Sequence, residues 1–314
     1  MTYLEGFSSV FESTYHNEIQ DNIIELLDWG LLEKGNYFNV TLGEVSQDNI
    51  DMSELSISKN ERFTYGQAWD GFRSNWIWQS GIDYDPAPLV GTNNTIPGIS
   101  GVYVDDTFYP SNTSGTYAHY VDYYNGRVVF NNPIPSGSKV QAEFSYKYIN
   151  VIYANSLPWI QEVRSRSLFP TGNDPILPPE MEIQLPAIAV EMSSNRRFSP
   201  FSLGSHGNQY VYTDVTFHCI AQDDYTRNLL IDIVTFQNDK IFTLFDSNSV
   251  INSGDNPILF NGMPRTGALR YPDLVSNYPK TKMKFTNTRS QNAISINSNI
   301  FLGIVNSQIE IIGF

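Results

Sequence analysis

The side chains able to do chemistry are few and scattered. Four histidines, His16, His119, His206 and His218, lie far apart, and no pair has the H-x-x-x-H or H-E-x-x-H spacing that puts two imidazoles on one metal. Cys219 is the single cysteine, so no intrachain disulfide is possible. It alternates with Val215 and Phe217 and reads as a small buried hydrophobe. The period of a strand turns His218 to the opposite face, which separates the two groups that a Cys–His dyad needs together. The acid pairs Asp83/Asp85, Asp105/Asp106 and Asp223/Asp224 could recruit Ca²⁺, yet none opens the D-x-D-x-D-G run that fills a calcium shell. The last two pairs read as turn and helix-cap residues. There is no P-loop, no G-x-G-x-x-G after a strand and no G-x-S-x-G elbow. Paired carboxylates for glycoside hydrolysis need no local spacing, and no residue pattern points to them. The sequence predicts no enzyme, no metal site and no cofactor.

Composition narrows the class further. The chain has 314 residues, enough for one or two domains. Charged residues make up 17% and aromatic residues 14%, a balance that suits a β-rich protein with partly wet contact surfaces. The formal charge of −14 is uneven: residues 1–90 carry 15 acidic and 4 basic side chains, and the remainder 18 and 15. Nucleic-acid affinity comes from Lys and Arg displacing phosphate counterions, and no basic stripe is present to supply it. The first residues, Met-Thr-Tyr-Leu-Glu-Gly, lack a basic n-region and an apolar h-region, so no signal peptide is expected. No apolar run is long enough for a transmembrane helix. The lone cysteine fits assembly in a reducing cytoplasm.

Periodicity sets the frame on which these residues sit. Ile19, Ile23, Leu26, Leu27 and Leu31 recur at helical spacing, which predicts a helix over Tyr15–Leu32, capped by Ser13 or Thr14 and stopped at Gly35. From Asn36 to Asn155 the period becomes two. Strands are expected at 37–42 and 74–79, with hairpins turning at Asp105-Asp106 and Asn125-Gly126. Residues 139–146 alternate so that Val140, Ala142, Phe144 and Tyr146 share a face. This stretch reads as a self-contained antiparallel β module. A short helix from Ser156 and a proline-rich loop over 169–186 separate it from the C-terminal part of the chain. The apolar run 187–192 reads as a strand covered on both faces, and 215–220 as a second strand. Asp223 or Asp224 caps a helix over 225–237 whose stripe is Leu229, Leu230, Ile233, Val234 and Phe236. Residues 241–245 return as a strand, 247–280 read as loop, and 282–286 and 300–312 close the sheet.

Two features bear on recognition. Arg196-Arg197-Phe198 falls in a polar stretch of some 20 residues between the paired strands, expected to be a loop and, in that position, either a solvated loop or a partner-binding arm. Trp69, Trp76 and Trp78 could stack sugars, but their residue type favours the module core.

Leu185–Met192, Phe201-Ser-Leu-Gly204, Val215–Ala221 and Asp224-Tyr-Thr-Arg-Asn-Leu-Leu230 succeed one another as strand, long polar loop, strand, acidic turn and arginine-containing helix. With the N-terminal helix, this layout resembles the tail-terminator (tail-completion, neck) proteins of tailed bacteriophages over roughly half the chain. The resemblance implies an α+β fold: a mixed sheet flanked by two helices, formed by residues 1–35 and 156–314. Residues 36–155 form a large inserted antiparallel, sandwich-like β module, which the smallest members lack.

It also implies a non-enzymatic virion protein of the tail or neck, assembled in the host cytoplasm. Such proteins form a ring, typically of six subunits, that caps the tail tube and offers a docking face to the head connector. Expected partners are further copies of the chain, the tail tube protein, the connector or stopper protein, and a sheath protein where the tail is contractile. Genomic DNA would pass through without specific binding, and no membrane is involved. Arg196, Arg197, Phe198, Phe201, Leu203 and Arg227 are the residues expected at subunit or lumen contacts. A neck adaptor or head-completion protein is the alternative of the same class. A carbohydrate-binding β module of a tail fibre or secreted protein, resting on the Trp cluster, is the alternative of another.

Overall fold

The computed structural model describes residues 15–46, 49–90, 98–154, 184–200, 209–291, 294–297 and 299–312. The chain is mostly β, with few helices. Helix α1 spans Tyr15–Leu32, the limits its periodicity predicts, and buries Ile19, Ile23, Leu27 and Leu31. It ends where Gly35 turns left-handed (φ 83°) and the Asn36 amide donates to the Leu31 carbonyl, a Schellman closure that a Cβ would strain. The expected caps Ser13 and Thr14 lie outside the described residues.

Nine short antiparallel strands come next: β1 (Tyr37–Val40), β2 (Glu54–Ile57), β3 (Ala68–Asp70), β4 (Gly101–Val104), β5 (Thr107–Pro110), β6 (His119–Asp122), β7 (Arg127–Phe130), β8 (Val140–Ala142) and β9 (Phe144–Lys147). Seven of them form one sheet in the order β5-β4-β8-β2-β3-β7-β6, and β1 pairs with β9 apart from it. The alternating segment expected to be one strand is therefore two, split at Glu143 and shared between sheets. Across the split Val140, Ala142 and Phe144 keep their shared face and enter one core with Trp69, Trp76, Val128 and Phe130. Trp76 stacks on Phe144 with ring centroids 4.1 Å apart. The strand expected over 74–79 is absent; Trp76 makes only an isolated bridge to Tyr146. The β4–β5 hairpin turns at Asp105 and Asp106, both left-handed, as a two-residue turn between right-twisted strands requires. Between β6 and β7 the connection is four residues, and only Gly126 is left-handed.

The second sheet contains β10 (Asn150–Tyr153), β11 (Ala187–Pro200), β12 (Gln209–Ala221), β13 (Ile241–Phe245), β14 (Pro279–Ser290), β15 (Ile294–Asn297) and β16 (Ile300–Ile312). Its order is β10-β11-β12-β16-β14-β13, with β15 beside β16. The β10–β11 pair is parallel and the others antiparallel, so the sheet is mixed. Strand β10, expected inside the module, belongs to this sheet instead. Helix α2 (Asp224–Thr235) starts at Asp223, whose carboxylate accepts from the Thr226 amide. Its buried face is Thr226, Arg227, Leu230 and Val234; Leu229 and Phe236, expected in the apolar stripe, are exposed. The stretch 247–280, expected to be loop, holds two short helices, α3 (Ser247–Ser253) and α4 (Tyr271–Asn277). The Ser156 helix and residues 169–183 of the proline-rich loop lie outside the described residues.

Both longer helices pack on one face of this sheet. Ile19 and Ile23 of α1 join Leu230 and Val234 of α2 in a single cluster with Val190, Phe217, Phe285, Val305 and Ile309. Alternation in β12 is as the sequence predicts: Val215, Phe217 and Cys219 face this core, while Ile220 joins a small separate cluster with Ala189 and Ile300. Close approach of α2 depends on Gly303 in β16. A Cβ there would lie 2.4 Å from Ile231 Cδ1 and 2.8 Å from its Cγ1, so the branched side chain cannot clear it by one rotation. Gly303→Val should cost about 1–3 kcal/mol through overpacking. A urea midpoint within error of the parent would show that α2 tolerates displacement.

Candidate functional site

The residues named for contact fall mainly on a long arm. Strand β11 continues past Met192 through an irregularity, and Arg196 to Pro200 pair with Thr213 to Gln209 of β12. Most of the stretch expected to be loop is therefore strand. The reason is register: Tyr210–Thr213 also pair with Ile309–Ile312 of β16, so the arm is the margin of a wider sheet. Arg196 and Arg197 are exposed on it. Phe198 lies in register with Val211. Phe201 and Leu203 lie outside the described residues.

Pairing continues across five strands as one row, Arg197–Tyr212–Glu310–Lys284–Ile241. Since Met283 and Phe285 flank Lys284 and face the core, this row lies on the sheet's opposite face. The Tyr212 hydroxyl donates to Glu310 at 3.3 Å, and Lys284 pairs with Asp239 at 2.8 Å. Arg197, Ser199, Tyr210 and Asp214 border a hollow of about 480 Å³ here. Arg196 shares the opposite face with Thr213, towards the first turn of α1. There, burial and then the Arg196 charge hold the His16 imidazole below its ordinary pKa. Beyond Val190 the outer edge of β11 has no partner strand among the described residues, since β10 covers only Ala187–Val190. An uncovered edge presents unpaired backbone donors and acceptors to another chain.

Arg227 behaves differently from the two arm arginines. It is only 8% exposed, its guanidinium is bound by Asp224 and by Asn228 at 2.8 Å, and it lies over the Phe301 ring. It ties α2 to the sheet within the subunit. The opposite face of α2 instead shows Tyr225, Leu229 and Phe236 to solvent, with Ile241 beyond its end.

Among the described residues the chemistry-bearing side chains stay apart; His206 lies outside them. Burial pushes the Cys219 thiol up to about 12, so no thiolate forms at neutral pH. His218 contacts Glu191 at 2.6 Å on the opposite face of the sheet, away from Cys219. His119 is buried and bonded to the Tyr117 carbonyl. Among the described residues, no three His, Cys, Asp or Glu side chains gather as metal ligands do. Trp69, Trp76 and Trp78 are buried in the module core, as their residue type favours. A cleft of about 930 Å³ between α1 and the β module went unseen in the sequence, because its walls come from segments far apart in the chain. No residue spacing could have announced it. No family model matches the chain, and no curated protein matches it either.

Proposed function

We propose that the chain is a virion structural subunit, a tail terminator that assembles into a ring through its β11–β12 arm. The observation that carries this reading is the uncovered edge of β11 beside two exposed arginines, Arg196 and Arg197, in a chain whose first 90 residues hold 15 acids against 4 bases. Backbone pairing along such an edge gives contact energy, and the arginines give register against an acidic neighbour. The layout that resembles the terminator family also supports it: strand, strand, acidic cap and helix fold as one contiguous unit. In mechanism the ring is steric. It occupies the polymerising face of the tube, so that no further tube ring adds, and turns its other face to the connector. Such a contact needs on the order of 1,000 Å² or more.

The test is the mass of the purified chain in solution, followed by negative-stain imaging with tail tubes. Particles near six times 35.6 kDa that cap tube ends are expected. A monomer that ignores tubes would overturn the reading. The double variant Arg196→Glu/Arg197→Glu should weaken self-association at least about tenfold while leaving the monomer's melting unchanged, since exposed charges contribute little to the fold. Rings that persist in that variant would remove the arm from the interface.

A further inference from the structure

The cleft between α1 and the β module has a wall chemistry that selects one kind of ligand. Its bases are already engaged: Lys147 Nζ lies 2.7 Å from Asp28 Oδ2, and Arg127 Nε lies 3.2 Å from Asp70 Oδ1. Two of its amide side chains also donate within the wall. Asn75 Nδ2 donates to Asn150 Oδ1 at 2.7 Å, and Asn150 Nδ2 donates to the Gln184 carbonyl at 2.8 Å. The Ser74 amide donates to Gln184 Oε1 at 3.0 Å. Acids outnumber bases on this wall: Glu25, Asp28, Asp70 and Asp122 stand against Lys147 and Arg127. Gln79 is 5% exposed, and its Oε1 has no hydrogen-bond partner, although its Nε2 reaches Asp28 at 3.4 Å. Glu25, one helical turn before Asp28 on the same wall, has no hydrogen bond or ion pair among the described residues. A buried acceptor without a donor carries a desolvation cost that a donating ligand would relieve. At the rim, Tyr124, Tyr153 and Phe260 offer exposed aromatic surface, and Ile258 and Leu259 add apolar surface.

We propose that this cleft binds an organic cation, an ammonium or guanidinium on an aliphatic stem, with Glu25 and Gln79 Oε1 as its acceptors. A neutral sugar leaves the excess acid charge of the wall uncompensated, so it matches this cleft less well. The aromatic rim suits a cation and its stem together. Binding should depend on pH through Glu25. That carboxyl is raised to about 7 by loss of water and by Asp28, with Asp21 adding to the rise and Lys147 of β9 opposing it. Burial first, and then nearby acids including Glu25, hold the phenols of Tyr153 in β10 and Tyr271 in α4 above their already high ordinary value, so both stay uncharged. The cation therefore meets a neutral acid below pH 7 and a carboxylate above it. The proposal does not depend on ring assembly. The cation's source is either a free diamine-like molecule or an arginine of a second copy's arm.

Titration calorimetry of the full chain with agmatine at pH 6, 7 and 8, with glucose as the neutral comparison, tests it. Agmatine binding should tighten by up to about tenfold per pH unit as pH rises towards 7 and level off above it, with proton release. Glu25→Gln should remove the pH dependence, and Gln79→Leu should weaken binding about tenfold at pH 8. Assemblies that dissociate as agmatine binds would assign the site to a neighbour's arginine; assemblies unchanged by bound agmatine would assign it to a free cation. No heat with millimolar agmatine at pH 8, glucose binding equally, or an unchanged pH profile in Glu25→Gln would each overturn the proposal. Loss of the ring with agmatine binding intact would instead count only against the assembly reading.

Discussion

Asn22→Leu should cost about 3 kcal/mol of folding stability, more than any surface substitution in this chain. Asn22 sits in α1 with no exposed surface. Its Nδ2 donates to the Phe245 carbonyl at 3.0 Å, and its Oδ1 accepts from the Phe245 amide at 2.8 Å. The side chain thus pairs with the end of edge strand β13 as a neighbouring strand would. Leucine fills similar volume but leaves one amide and one carbonyl buried without partners, each costing about 1–3 kcal/mol. Asn36 repeats the device, bonding both the amide and the carbonyl of Ile149 at 2.7 and 2.8 Å just before β10. The two asparagines therefore fasten α1 and its C-terminal turn to the core sheet at both ends. Urea unfolding of the purified variant measures the loss. A shift of under 1 kcal/mol would mean that water reaches these groups and the clamp is dispensable.

Glu25→Gln is expected to act in the opposite sense, stabilising the protein by about 3 kcal/mol at pH 8 and leaving it unchanged at pH 4. The folded carboxyl titrates at about 7 against 4.5 for the free group, a rise caused first by burial and then by Asp28. Below pH 4.5 the group is neutral in both states and its stabilising contribution is fully present. Between 4.5 and 7 the unfolded chain ionises first, so stability falls as pH rises. Above 7 the loss is complete. Glutamine cannot ionise, so the loss is absent from the variant. Comparing variant with parent at each pH cancels the cap acids Asp223 and Asp246, which are lowered and lose their contribution as pH falls. Thermal melts at pH 4, 6 and 8 check the pattern; a constant difference across that range would sink it. Carboxyls that burial and a neighbouring acid raise in this way cluster at sites that receive a ligand.

How far the site was legible can be judged from particular residues. Arg196 and Arg197 stood out by type, and their exposure is local enough to anticipate. Their place on a strand was not legible, since a polar stretch becomes strand only when β12 and β16 continue beside it. Leu229 and Phe236 were expected inside because α2 repeats at helical spacing; the sheet takes Leu230 and Val234 and leaves those two exposed. Arg227, expected at a contact, is bound within the subunit by Asp224 of its own helix and lies over the Phe301 ring. Glu25 and Asp28 gave no signal, because a helix face rich in acids reads as a solvated one, and Gln79 gave none because its partner Asp28 lies 51 positions away.

The amino-acid order was enough for the elements whose cause is local. These include the limits of α1, from its apolar period and Gly35, and strand β13. They also include the Asp105-Asp106 turn, the Asp223 cap and the inward placement of Val215, Phe217 and Cys219. Long-range packing was needed to move β10 to the second sheet, split residues 140–147, set the clamps of Asn22 and Asn36 and create the chemistry of the cleft. The Asn22 and Asn36 contacts join residues 223 and 113 positions apart. Their energy appears only once distant segments have excluded water from the same place, and no local pattern of residues encodes that event.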